Sequence, residues 1–591
     1  MKSGGAGATD AERGAGTGSL TSVRRWIIRA DAPTTDAGGW GIWQWFFLAF
    51  GAIAAGMIFM GRSFYFGTPL YETADLAANS LQILRAIHVQ EIHGNYSRFG
   101  FHHPGPAFFY IYAAGEVAFF DLLHLVPAPH NGHLLAGALL QSAFLAAAIA
   151  VLARYAAPNR GLFVTAAIAA ALVHFQLAGD LETSIWPPNQ LIVPFACFLV
   201  VAIAVACGRM GLVPLLVICG GFLVHGHVAQ PLFVLPIGGF ALGLGFWTRY
   251  RQDALPVFGL IRRHLKSLAL AFVILVIFLV PLAIDAVHGS NSNLATIAAY
   301  LTKPRAATDT HSITQVLGYA LAFLSYPSGP PLFNFDRSQF VSFEAHNLGG
   351  LAVSLLALVV LPIALLLTSR ARRARVDSAG VNRWSGSRFF VVYYGFMALA
   401  AFLTLIWTYT QKGPLYPFNS YFEYGLMFVA AMPPLVVVCR RWPIKGSRAT
   451  TAVVGILALC LTLSTAFPLP SQEDSNGLQL NTSIQAVVAA RTSSGPVLID
   501  FAQDDWVQAT GAVLALERDH VTWYVKPLFN GWAGNVLGND HVYTGPTGSA
   551  PAPELWFLTK PDPNHQGQIV LTPELAIYPR PPSLADYSQG H

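Results

Sequence analysis

Apolar runs of about 20 residues recur along this 591-residue chain. Each is long enough to cross a bilayer as one helix. They fall near 40–60, 133–153, 161–178, 189–207, 211–228, 231–248, 267–287, 347–369, 387–409, 421–439 and 449–467. The fold class is therefore an α-helical polytopic membrane protein of about 11 spans, with a small C-terminal α/β domain. Composition agrees: 54% of residues are hydrophobic and only 11% charged, with a mean hydropathy of +0.49. An average soluble domain carries roughly 25% charged residues. The net charge of +5 comes from Arg and Lys beside the apolar runs, so no nucleic-acid partner is expected. Cys197, Cys207, Cys219, Cys439 and Cys460 all sit in apolar runs without CxxC spacing, so they read as small buried hydrophobes rather than metal ligands or disulfides.

Residues 1–39 begin as a Gly-, Ala-, Ser- and Thr-rich tail that should be disordered. No cleavable signal peptide is expected, because the first apolar run is too long. Arg24, Arg25 and Arg29 precede that run and hold the N-terminus in the cytoplasm. With eleven spans, 23 of the 35 Lys and Arg fall in cytoplasmic pieces. Making 106–126 a further span would put the basic clusters outside. That segment, with Glu116, Asp121 and His124, reads instead as a juxtamembrane helix at the outer surface. The domain reading is a membrane domain over 40–468, with outer loops 61–132 and 288–346, followed by an extracytoplasmic domain over 469–591. In the latter, VLID (497–500), VTWYV (521–525) and LWFLT (555–559) read as strands and 505–519 as an amphipathic helix.

The ionisable residues concentrate in 71–106, YETADLAANSLQILRAIHVQEIHGNYSRFGFHHPGP. Leu76, Leu81, Ile83, Leu84 and Ile87 suit an amphipathic helix resting on the membrane surface. Asp75 at its start is placed to take a proton from a hydroxyl; the plainer reading is a helix N-terminal charge in water. Glu72, three residues earlier, is expected on the same side. In GNYSRFGFHHPGP, Arg98 lies between Tyr96 and Phe99, and an Arg fork matches phosphate oxygens. His102 and His103 are not spaced as metal ligands, and they read as polar packing beside the substrate. Asp180 and Glu182 precede Trp186 in a second acidic outer loop; the plainer reading is ordinary loop charges, the other a divalent cation shared with a phosphate-bearing donor. His225 and His227 form an HxH pair that offers two metal ligands if Asp75 or Asp180 comes near; the alternative is interface histidines bonded between helices. Lys303 and Arg305 are basic residues on the outer side, together with Lys412. They read as binders of an anionic lipid phosphate or as simple anchors.

The order of these parts resembles the GT-C superfamily of membrane glycosyltransferases, which includes protein O-mannosyltransferases, aminoarabinose transferases and actinobacterial arabinosyltransferases. The resemblance covers roughly 40–250 and rests on Asp75, then LAANSLQILRAI, HHPGPAFFYIYAAGEVAFF and HLLAGALLQSAFLAAAIAVLARY. HPGPAFFY stands where that family carries its usual prolines. Many members have adjacent acids where this chain has Asp75-Leu76, which leaves metal dependence open. The resemblance implies a polyprenyl-phosphate-linked sugar as donor and a glycan, lipid or protein acceptor, with inversion at the anomeric carbon. Asp75 would be the general base, with Glu72 a second candidate carboxylate. Arg98, Lys303 or Arg305 would hold the departing phosphate. No cofactor is required beyond a possible divalent cation. The expected setting is a bacterial inner membrane with its lipids as partners. Two rivals are a flippase of lipid-linked sugars and a surface-polysaccharide ligase or polymerase. The absence of an internal repeat speaks against the first, and the early acidic loop against the second.

Overall fold

The apolar runs fold as helices. The computed structural model describes residues 40–156, 159–178, 184–305, 310–324, 386–441, 476–492, 495–527, 531–545 and 553–579, with the isolated positions 352 and 356. In chain order the helices used below are α1 (Ile42–Met60), α2 (Ala74–Ile87), α3 (Ala107–Gly115), α4 (Pro129–Ala153), α5 (Arg160–Ala178), α6 (Ile192–Ala206), α7 (Val213–Gly226), α8 (Pro231–Asp253), α9 (Leu265–Ala286), α10 (Asn293–Thr302), α11 (Gly386–Thr410), α12 (Tyr424–Arg441), α13 (Asn476–Ala490) and α14 (Trp506–Arg518).

Seven helical stretches among the described residues are long and apolar enough to cross a membrane: Ile42–Met60, Pro129–Ala156, Pro187–Ala206, Pro231–Asp253, Leu265–Ala286, Phe389–Thr410 and Pro417–Val437. The expected spans at 161–178 and 211–228 carry shorter apolar helices, Arg160–Leu172 and Met210–Gly226. Those at 347–369 and 449–467 lie outside the described residues, the isolated positions 352 and 356 aside. Every residue of α6 is buried, and nearly all of α4, so these two form the centre of the helical core. Only Ala271 and Asp285 of α9 are buried. Its exposed Phe272, Val273 and Ile277 form an apolar face suited to lipid. Segment 106–126 forms α3 and a π-helical turn, Glu116–Leu122.

The C-terminal region holds a five-stranded sheet of order β2-β1-β3-β5-β4. The strands are β1 (Val497–Phe501), β2 (Trp523–Val525), β3 (Glu554–Thr559), β4 (Ile569–Thr572) and β5 (Leu575–Tyr578). β1 runs parallel to β2 and β3, and β5 antiparallel to β3 and β4. The sequence reading places β1, α14, β2 and β3, and misses α13, β4 and β5.

This region does not hang apart from the membrane helices, because α2 is a wall common to both. Ala77, Ala78 and Leu81 of α2 are buried in one core with Leu480, Ala509, Val513 and Leu516. Ile83 and Ala86 are buried in the other, with residues of α1 and α4. Each face is a stripe at i, i+3 or i+4 spacing. The seam is tight enough to exclude side chains. A Cβ on Gly477 would overlap the Tyr71 carbonyl oxygen, and one on Gly511 would come within 3.0 Å of the Glu72 carbonyl oxygen. Gly477→Ala should therefore cost about 1–3 kcal/mol through overpacking and loosen the C-terminal domain first. Limited proteolysis of the variant, set against its thermal melt, measures this.

Candidate active site

Asp75 occupies the first turn of α2, and the backbone before it is unusual. Thr73 is extended, and Ala74 has φ 51, a left-handed conformation that costs a non-glycine residue roughly 1 kcal/mol. The turn sends Glu72 and Asp75 to different places. Helical spacing does not apply across 72–75, and the expectation that the two carboxylates share a side is not met.

Asp75 opens into a cavity of about 560 Å³ with Tyr96, Arg98, His103, Trp186, Lys303, Arg305 and Lys412. Tyr96 Oη donates to Asp75 Oδ1. Trp186 Nε1 donates to Oδ2 at 3.1 Å. Each oxygen keeps a lone pair for another proton. Burial, and then the Asp75 charge beside it, raises the Tyr96 hydroxyl pKa, so this donor stays protonated.

Residues 94–103 form a small antiparallel loop. Gly94 N donates to the His103 carbonyl at 2.9 Å, His103 N to Asn95 O at 2.8 Å, and Ser97 N to Phe101 O at 2.7 Å. Gly100 turns it with φ 81. A Cβ on Gly94 would lie 2.9 Å from both the Gly105 and His225 carbonyl oxygens, which is why the loop can press against α7. The tip carries Arg98 into an aromatic cradle. Its guanidinium lies 4.1 Å from the Tyr416 ring centre, 4.8 Å from Phe99 and 5.8 Å from Phe418. Burial lowers its pKa, but an arginine remains a cation in a protein. Among the described residues no carboxylate pairs with it. Arg305 donates to the Tyr409 carbonyl at 3.0 Å. Lys412 Nζ donates to the carbonyls of Tyr300 and, at 2.9 Å, Lys303. Asp75 is the only carboxylate among the described residues lining this cavity, which otherwise presents four cations and a wall of aromatic rings.

Other sites differ from expectation. His102 is outside the lining, its ring stacked 5.4 Å from His93 and its Nδ1 donating to the Gly94 carbonyl at 3.2 Å. Burial first, then repulsion from His93, brings its pKa down to about 4. It holds the loop rather than facing a ligand. His103 does line the cavity, its ring centre 4.4 Å from that of His227. The Nδ1 atoms of His103 and His227 accept backbone N–H groups of Val228 and Ala229, both at 3.1 Å, so each neutral ring carries its proton on Nε2. His225 Nε2 donates to the Phe278 carbonyl at 2.8 Å. The HxH residues thus turn to different partners, and among the described residues they belong to no metal-ligand group. Asp180 lies outside the described residues.

Glu72 is buried in a separate polar cluster. Its Oε1 accepts from Ser80 Oγ at 2.6 Å and lies 3.1 Å from His130 Nδ1. Glu116 accepts from His133 Nε2 at 2.6 Å and from Arg518 at 2.8 Å. Burial alone would raise the Glu116 carboxyl, but His133 and Arg518 outweigh it and hold it at about 2. Burial would likewise raise Glu72, yet His130, Arg518 and His133 keep it well below the usual carboxylate range. Sequence reasoning misses this cluster, and it misses Tyr416 and Phe418 beside Arg98. The available signals were the His-x-x-His spacing at 130–133 and the aromatic run LYPFNSYFEY after α11.

No family model matches the chain, and no curated protein matches it.

Proposed function

We propose that the protein is a membrane glycosyltransferase of GT-C type, with about eleven spans and its Asp75 end on the outer face of a bacterial inner membrane. It moves a sugar from a polyprenyl-phosphate donor to an extracytoplasmic glycan, lipid or protein acceptor. The observation that carries this reading is the pairing, within one cavity, of a carboxylate held by two donors with cations that meet no other carboxylate of the cavity lining among the described residues. The acceptor hydroxyl gives its proton to Asp75 as its oxygen bonds to the anomeric carbon. The bond from that carbon to the phosphate oxygen breaks on the opposite side, and its electron pair leaves with the polyprenyl phosphate. Inversion follows from that geometry. Arg98, Lys303, Arg305 and Lys412 meet the charge that grows on the phosphate, and the aromatic rings offer a stacking surface for the sugar.

The test is transfer by the purified protein in lipid nanodiscs, offered a panel of labelled polyprenyl-phosphate sugars with envelope extract. Label reaching an acceptor is the expected result. Donor bound but never consumed, with labelled donor changing leaflet in vesicles, would replace the enzyme with a flippase. Within the enzyme reading, Tyr96→Phe removes the O–H donor to Asp75. A hydrogen bond to a charged group contributes about 1.5–3 kcal/mol, so the transfer rate should fall about 10- to 100-fold with donor binding retained. An unchanged rate would show that Tyr96 does not orient the base.

A further inference from the structure

The cluster at Glu72 lies apart from the cavity and plays no part in the reaction just described. Its atoms are nevertheless placed for a definite chemistry. His130 and His133 stand three residues apart in the first two turns of α4, so both rings leave the same helix face. Glu72 Oε1 lies 3.1 Å from His130 Nδ1 and 3.6 Å from His133 Nδ1, and the three ligand atoms lie within 4.8 Å of one another. Around a tetrahedral zinc, with bonds of about 2.0–2.2 Å, neighbouring donor atoms stand roughly 3.3 Å apart.

The protons sharpen the point. His133 Nε2 donates to Glu116 at 2.6 Å, so in the neutral ring Nδ1 is a bare lone pair. That atom is buried without a hydrogen-bond partner and faces the Glu72 carboxylate, another lone-pair donor. Two such groups at 3.6 Å need a cation or a proton between them. The Glu116–His133 contact is also the arrangement in which a carboxylate orients a metal-binding imidazole through its far nitrogen. With neutral imidazoles, Glu72, Glu116 and Arg518 leave one negative charge in a site whose His130 and His133 are sealed from solvent, at 0% exposure.

We propose that Glu72, His130 and His133 bind a structural divalent cation, zinc by the chemistry of two imidazoles and one carboxylate. Glu116 positions His133, and Arg518 of α14 closes the far side on Glu116. The ion pins the segment before α2 to the head of α4 and, through Glu116, both of them to the C-terminal domain. Sealed from the cavity, it holds structure and touches no substrate. This inference is independent of the transfer reading.

The experiment takes the full-length protein in detergent, strips it with a chelator and titrates it with zinc chloride against a chromogenic competitor. One zinc per chain is expected, with a higher melting temperature when it is bound. His130→Ala and His133→Ala should lose that zinc. Glu116→Gln should keep the stoichiometry with about 10- to 100-fold weaker affinity. Since the alanine variants can fail to fold, the wild type decides. Stripped wild-type protein with an unchanged circular-dichroism spectrum that takes up no zinc at micromolar concentration overturns the proposal, leaving a protonated His133 as the bridging species. Zinc uptake with unchanged affinity in a folded His133→Ala protein also overturns it, because the metal would then sit elsewhere.

Discussion

Asp75→Asn should abolish sugar transfer while the protein still inserts and folds. Asparagine keeps the size of the side chain and can still accept one of the two hydrogen bonds from Tyr96 and Trp186. It cannot take a proton from an acceptor hydroxyl. Loss of a general base lowers rates by about 10²–10⁴-fold, so residual transfer should sit near background. Donor affinity should change little, because the cations that meet the phosphate are untouched. Transfer at the wild-type rate would remove Asp75 from the chemistry. Glu72 does not stand in as a substitute, since it is 4% exposed and points into the His130 and His133 cluster.

Arg518→Met should produce the largest loss of stability from one substitution. Methionine approximates the length of the arginine stem but leaves Glu116 and Glu72 without the cation 2.8 and 3.9 Å away. Breaking a buried ion pair by removing one partner costs about 3–5 kcal/mol. The Arg518 side chain is 15% exposed and that of Glu116 6%, so solvent relieves little of it. The C-terminal domain should become protease-sensitive at temperatures where the membrane helices stay intact. A variant with an unchanged melt and unchanged cleavage pattern would show that the seam rests on apolar packing alone. The pH dependence has a definite sign. Glu116 is depressed from 4.5 to about 2, so its contribution is fully present above about pH 4.5 and is lost as pH falls toward 2. The Glu116–Arg518 contact should therefore hold through mild acid, and melts of metal-stripped protein taken across that range check it.

Much of this was legible in the sequence, for a simple reason. Segregation of apolar residues into runs near 20 long is a local property, and seven of the expected spans stand as long helices. Asp75 and Arg98 both fall within one polar stretch of 36 residues, 71–106, and both line the cavity. What escaped is what depends on distant pairing. Leu76, Leu81, Ile83, Leu84 and Ile87 mark α2 as amphipathic, yet they do not all face one way. Leu81 and Leu84 pack on the C-terminal domain, while Leu76, Ile83 and Ile87 pack on the membrane helices. A single apolar stripe on a surface helix and two stripes between two cores read alike along the chain. Arg518 meets Glu116 across 402 residues, and no local pattern joins them. The carboxylate spacing at 72 and 75 misled because one left-handed residue, Ala74, breaks the periodicity on which it depended.

The two-sided burial of α2 also sets an order of events. α2 is made early, at residues 74–87, whereas the helix that covers its second face begins only at Trp506. Through most of translation that face has nothing to rest on, and Ala77, Ala78 and Leu81 wait uncovered for more than four hundred residues. The carboxylate at the head of α2 reaches its final setting only after the chain has emerged beyond Arg518. A ribosome that stops before α14 (Trp506–Arg518) releases a chain in which one face of α2 is still uncovered, so a late segment acts as a completion check on an early one.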